Sequence, residues 1–298
     1  MNGILPLWKP KGITSHDCVL KTRKLLHLKK IGHTGTLDPD VEGVLPLCIG
    51  QATKIVPFLT DTKKTYITEV KLGISTETED SQGEVVETKH VIHPPSQQKI
   101  ENVLQLFQGE IMQVPPMYSA VKVNGKKLYE YARMNEHVER PRRTVFIYQL
   151  EQLKKNCHHD RFWLKVVCSK GTYIRTLCVN IGNLLGYPAH MSDLYRMETG
   201  AISQEDTSTF SEIEQAVKEE RQNELLLPIG NCLRHMPSID VDKDTRKRVL
   251  YGQKLPKPHH TPETEPFLVR FDKQVIAVYK THPDNDTIMK PVRVFNHE

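Results

Sequence analysis

Apolar positions recur along the chain with two periods, and each predicts its own kind of element. "TYITEVKLG" alternates and places Tyr66, Thr68, Val70 and Leu72 on one face of a half-buried strand. "RFWLKVVCSKG" alternates likewise and runs directly into "TYIRTLCVNIGNLLG". There Ile174, Leu177, Cys178, Ile181, Leu184 and Leu185 fall on one helical face, and Gly186 stops the helix. "PPSQQKIENVLQLFQGE" predicts another helix: Ser96 as N-cap, a stripe of Ile100, Val103, Leu104 and Phe107, and Gly109 as stop. Ser15 is the expected N-cap of a helix through Leu26, and a second long helix is expected between Phe210 and Leu227.

Between these elements, residues 112–143 are rich in Pro, Gly, Tyr and basic side chains and read as a long excursion rather than packed core. From about Ile239 the texture changes to a short basic helix and the strands "PFLVRF", "QVIAVYK" and "IMKPVRVF". The chain therefore divides into an expected main domain over 1–236 and a small strand-rich module over 237–298. Strands and helices mix without regular βα alternation, which predicts an α+β fold with a mixed, largely antiparallel central sheet.

With 298 residues, 38% hydrophobic and 26% charged, the composition is that of a globular protein rather than a disordered one. No apolar run approaches the roughly 20 residues a membrane-spanning helix needs. "MNGILPLWKPKGITSHD" lacks the features of a signal peptide, so the cytoplasm is the expected compartment. Six scattered cysteines without a C-x-x-C pair are expected to be reduced and mostly buried, and "NCHHD" is read as a polar hairpin tip rather than a zinc site. The net charge of +5 is gathered in clumps: "KTRKLLHLKK", "TKK", "ERPRR" and "TRKR". Such clumps suit a polyanion followed along its backbone, and ordinary solvated faces suit them equally well.

The densest chemistry lies in "HTGTLDPDVEGVLPL", His33 to Leu47. Asp38, Asp40, Glu42 and Gly43 imitate the opening of a calcium loop, but the twelfth position, which must supply a bidentate carboxylate, is Ile49. A pair of glycosidase carboxylates is improbable from neighbouring positions of one turn. Asp38 stands out because Pro39 pushes it towards extended backbone, and because the apolar "VLPLCIG" that follows would desolvate a carboxylate and call for a cation. Its alternative is a hydrogen bond within its own loop. Arg175 is a candidate cation, since an arginine in the first turn of a helix is often paired with an anion; a solvated arginine is the other reading.

Five blocks, in order, resemble the TruB-type tRNA pseudouridine synthases: "LPLWKPKGITSHDCV", "GHTGTLDPDVEGVLPLCIGQATK", "KKTYITEVKLGISTETEDSQG", "VPPMYSAVKVNGKKLYEYAR" and "VVCSKGTYIRTLCVNIGNLLGYPAHMSDLYRMETG". They span nearly all of residues 3–200, and the end of the chain is similar to a reduced PUA domain. The resemblance implies an enzyme that flips the T-loop uridine of tRNA (position 55) out of its stack and isomerises it to pseudouridine with a single aspartate and no cofactor or metal. It implies that Asp38 is that aspartate, that Arg175 pairs with it, and that Tyr66 stacks on the target base. It makes Leu194, Tyr173 and Lys64 contacts of the substrate and inserts His33 into the T-loop. Residues 112–143 become an RNA-clamping insertion, the partner is the tRNA T-stem-loop, and the protein is expected to be a monomer. A non-catalytic tRNA-binding or folding chaperone on the same fold is the alternative, and the presence of both Asp38 and Arg175 argues against it. Relatives often carry D-[LI]-G where "NIG" stands at Asn180–Gly182 and L-R-R where Leu194, Tyr195 and Arg196 stand. Asp40 has no explanation.

Overall fold

The computed structural model describes residues 1–295, apart from the side chains of residues 154–158. The chain forms two compact units, one of residues 1–39, 44–60 and 200 onward, the other of residues 40–43 and 61–199.

In the second unit the alternating segments become neighbours. Strand Lys64–Leu72 lies between Ala189–Thr199 and Arg161–Cys168, and Arg143–His158 and Gly109–Gln113 extend the sheet, every one of these pairs antiparallel. Glu42 and Gly43 add a parallel pairing beside Tyr195 and Arg196, so the sheet is mixed, as the sequence predicts. Helix Ile174–Leu185 packs on Ala189–Thr199 and Lys64–Leu72, and helix Gln97–Gln105 packs beside it on Arg143–His158. Ser96 caps the latter through Lys99 N–H, and Gly186, at φ 91°, ends the former. Leu184 departs from expectation: it lies at the edge of the stripe and is exposed. The hairpin tip at "NCHHD" turns at His159 and Asp160; the side chains of Cys157 and His158 lie outside the described residues.

The 112–143 excursion has a small core of its own. A short hairpin, Lys122–Val123 with Lys126–Lys127, leads into helix Leu128–Arg133. Leu128 and Tyr131 are buried beneath it, and the Tyr131 hydroxyl donates to Val123 O. Arg140 Nη1 closes the base on Pro115 O at 3.0 Å.

The first unit holds helix Ser15–Leu26 and the strands Gly3–Lys9, Ile31–His33 and the one ending at Ile49. It also holds the five-stranded sheet of residues 238–294. Leu268, Val275, Val278 and Phe295 of that terminal segment share one core with Ile4, Val44, Cys48 and Ile55. Two expectations are corrected in this unit. Thr14, not Ser15, caps the first helix, in a capping box with Asp17. The helix beginning at Phe210 ends at Lys218 rather than Leu227, because Glu220 takes a left-handed backbone (φ 59°) and the chain turns away. The five described cysteines are free and buried. Among the described residues no helix is long and apolar enough to cross a membrane.

Candidate active site

Of the expected site residues, His33 and Asp38 belong to the first unit, and Lys64, Tyr66, Tyr173, Arg175 and Leu194 to the second.

In the first unit, His33 ends the strand Ile31–His33 opposite Leu47, and Thr34 N–H donates to Pro46 O. The loop then reaches Asp38, half-buried, with its neighbours gripped on both sides. Before it, the buried Ser15 hydroxyl accepts from Leu37 N–H at 2.9 Å and donates to Leu37 O at 3.1 Å. After it, Pro39 O accepts from Gly12 N–H at 3.0 Å and from Lys9 Nζ at 2.8 Å. Lys9 is wholly buried, a costly place for an ammonium unless carbonyls surround it; it donates to Pro10 O as well. The "KPKGITS" segment thus serves as the bed on which "TLDP" lies.

In the second unit, Tyr66 stands between Val166 and Arg196 on the neighbouring strands, and Leu194 pairs with Thr68. Arg196 is 1% exposed, and its guanidinium bonds the Tyr66 hydroxyl. Lys64, two residues before Tyr66, is also buried and donates to Thr62 O at 2.6 Å. Burial, seconded by the Arg196 charge, pushes its pKa down to about 8. A tyrosine beside two buried basic side chains sits in a field that favours electron-rich groups.

Tyr173 precedes the helix Ile174–Leu185 and is clamped by Gln113, whose side-chain amide takes the Tyr173 N–H at 3.0 Å and donates to its carbonyl at 3.2 Å. Arg175, in the first turn, is buried. Its guanidinium donates to Thr78 O and Tyr118 O, both at 3.0 Å, and lies 3.8 Å from the Asp80 carboxylate. Within this unit the Asp80 carboxylate and the neighbouring Glu79 lie beside this guanidinium.

Residues 23–174 match the TruB family pseudouridylate synthase (N terminal domain), and residues 175–234 match the tRNA pseudouridylate synthase B C-terminal domain. The chain belongs to the TruB family of pseudouridylate synthases. It is 58% identical to tRNA pseudouridine synthase B of Oceanobacillus iheyensis over 99% of this chain and 98% of that protein. It is 50% identical to the protein of the same name from Bacillus licheniformis, over 98% of this chain and 97% of that one. Among solved structures, a chain in the crystal structure of a Cbf5-Nop10-Gar1 complex superposes with a TM-score of 0.75 at 27% identity, covering 99% of this chain and 84% of that one. The mixed central sheet with a terminal β-sheet is thus the TruB-type architecture expected from the sequence.

Four side chains of this TruB-family fold were not assigned a place in the site by sequence reading. Lys9, Arg196, Glu79 and the Ser15 hydroxyl each act on a partner distant in sequence or on the neighbouring strand. For Arg196 a signal existed in "LYR", since position 196 shares a strand face with Leu194. A cavity of about 700 Å³ in the first unit, lined by Asn2, Arg234, Lys273 and others, contains none of the expected site residues.

Proposed function

We propose that the chain isomerises the T-loop uridine of tRNA, position 55, to pseudouridine, with Asp38 as its single catalytic carboxylate. The observation that carries this reading is full-length similarity to tRNA pseudouridine synthases together with an aspartate whose flanking peptides are both held by buried groups. Flipping removes the uridine from its stack so that the ribose carbon becomes reachable. Asp38 then attacks C1′, or removes the C2′ proton to give a glycal. The N1–C1′ bond breaks, the uracil turns over, and a C5–C1′ bond forms as the Asp38–C1′ bond breaks or as C2′ regains its proton; the C5 proton then leaves and N1 gains one. Product and substrate are isomers, so no electrons or atoms need to be supplied.

In this reading Arg175 keeps Asp38 ionised and aimed, Tyr66 stacks on the uracil, and Leu194 and Tyr173 wall its pocket. Lys64 contacts the substrate and His33 takes the place of the flipped base. The 112–143 excursion, whose Lys126, Lys127 and Arg133 lie over tyrosine rings, holds the folded RNA by shape and phosphate. Residues 237–298 act as a reduced PUA-like module, and the enzyme works as a cytoplasmic monomer.

The test is pseudouridine mapping by reverse-transcription stops on an unmodified tRNA transcript after carbodiimide treatment. A new stop is expected at position 55 with the wild type and none with Asp38→Asn, which should bind tRNA within a few-fold of wild type. Full activity of that variant would sink the assignment.

A further inference from the structure

We propose that Ser15 is a positioning residue for Asp38, setting the reacting carboxylate's angle by holding both backbone polar groups of the preceding residue. The proposal rests on the reading of Asp38 as the catalytic aspartate.

One hydroxyl satisfies both backbone groups of Leu37, accepting from its N–H and donating to its C=O. A hydroxyl has one hydrogen to give and lone pairs to accept with, so both Leu37 groups are met by a single atom. This reproduces, with one side chain, the two-bond exchange between directly paired residues of antiparallel strands. Ser15 and Leu37 are both buried, so no bulk water stands ready to replace either bond. The opposite flank is fixed separately, through Pro39 O. Asp38 therefore sits on a segment pinned at two points, and Ser15 is the side chain that holds the Leu37 point.

Ser15 is also held still. It is the first residue of a twelve-residue helix whose cap is complete without it: Thr14 Oγ1 accepts from Asp17 N–H, and Asp17 Oδ2 accepts from Thr14 N–H. Removing the Ser15 hydroxyl leaves that capping box and the buried Leu37 side chain in place. What it releases is the orientation of the Leu37 peptide, and with it the direction of the Asp38 side chain. A misplacement of about 1 Å at a reacting group can cost on the order of 10²-fold in rate without weakening binding.

The experiment measures single-turnover rate constants and tRNA dissociation constants for wild type, Ser15→Ala, Ser15→Cys and Asp38→Asn, with thermal melts of each. Ser15→Ala is expected to lose about ten- to a hundredfold in single-turnover rate while its tRNA affinity stays within about twofold. Ser15→Cys fills the same space with a weak hydrogen-bonding group, guards against a folding failure of the alanine variant, and should also be slowed. A wild-type rate in either folded variant overturns the proposal. So does a loss that vanishes once the rate is corrected for the folded fraction. If Asp38→Asn itself stays active, the reading of Asp38 fails, independently of how the Ser15 variants behave.

Discussion

Thr176 Oγ1 donates a 2.6 Å hydrogen bond to the Glu79 carboxylate, while the preceding helical residue, Arg175, bonds the carbonyl of the preceding loop residue, Thr78. Two successive residues of one helix turn therefore hold two successive residues of a loop in which Glu79 adopts a left-handed backbone, φ 64°. Such a backbone in a non-glycine residue persists only where its surroundings enforce it.

Burial raises the Glu79 pKa above the ordinary carboxylate value; Thr176, Arg175 and Arg140 oppose the shift and Asp80 adds to it. A raised folded-state pKa favours the protonated form, so the stability it confers is complete below the ordinary value and is lost as pH rises through the raised one. Glu79→Gln, which keeps an acceptor for Thr176, should therefore be more stable than wild type at pH 7, and the gain should shrink towards pH 4. Urea denaturation across that range reads the difference. A wild type more stable at pH 7 would mean that attraction to the two arginines outweighs burial.

Lys64 gives the complementary case. Its pKa, lowered to about 8 from 10.5 by burial and by Arg196, makes the ammonium a cost to the folded state below pH 8. Between pH 8 and 10.5 the folded chain has released that proton and the unfolded chain has not, so stability rises with pH there. The ceiling is about 3 kcal/mol for a shift of this size. Relative to Lys64→Met, the wild type should gain stability between pH 8 and 10.5 and level off above. Paired melts at fixed ionic strength check this, and a flat difference across the window would contradict it.

Period was enough to find what is local. The alternation at Tyr66–Leu72 and the stripe from Ile174 to Leu185 follow from burying one face of a strand or helix, and both elements occupy the expected residues. Punctuation was less secure. "TSHD" offers two hydroxyls as caps, and only the T-x-x-D reciprocity with Asp17 selects Thr14 over Ser15. The freed Ser15 bonds Leu37, 22 residues on, a pairing that no local pattern encodes. The apolar period after Phe210 hid the left-handed turn at Glu220. Spacing alone left Asp38 and Arg175 each with a bland alternative; their assignment came from ordered blocks of resemblance, because chemistry depends on side chains brought together from distant segments.

Arg175 carries structural weight beside its proposed pairing with Asp38, since its two backbone acceptors belong to different loops. A lysine at this position keeps the charge but not the fork that reaches Thr78 and Tyr118 together. Arg175→Lys should stay folded, lose at least about tenfold in rate, and show faster amide exchange over residues 78–80 and 117–119. Hydrogen exchange followed by mass spectrometry resolves these segments. Unchanged exchange with lost activity would confine Arg175 to the chemistry.

At the end of the acid loop, Gly43 runs beside Arg196. Gly43 has φ +130°, and a Cβ there would stand 2.3 Å from Arg196 O and 2.6 Å from Arg196 N, both backbone atoms that cannot swing aside. Gly12 has a comparable positive φ, +83°, with nothing within 4 Å of its Cβ position. Alanine at Gly12 meets conformational strain alone, about 1–2 kcal/mol. Alanine at Gly43 meets strain and collision together, and should cost about 3 kcal/mol or more because the Glu42–Gly43 pairing with Tyr195–Arg196 must part. Since Arg196 bonds the Tyr66 hydroxyl, the Gly43 variant should also lose more activity per folded molecule than the Gly12 variant. Urea denaturation and single-turnover rates of the two variants, measured side by side, separate the close approach from the backbone strain; equal costs at both positions would mean that the strand pairing at Gly43 yields without penalty.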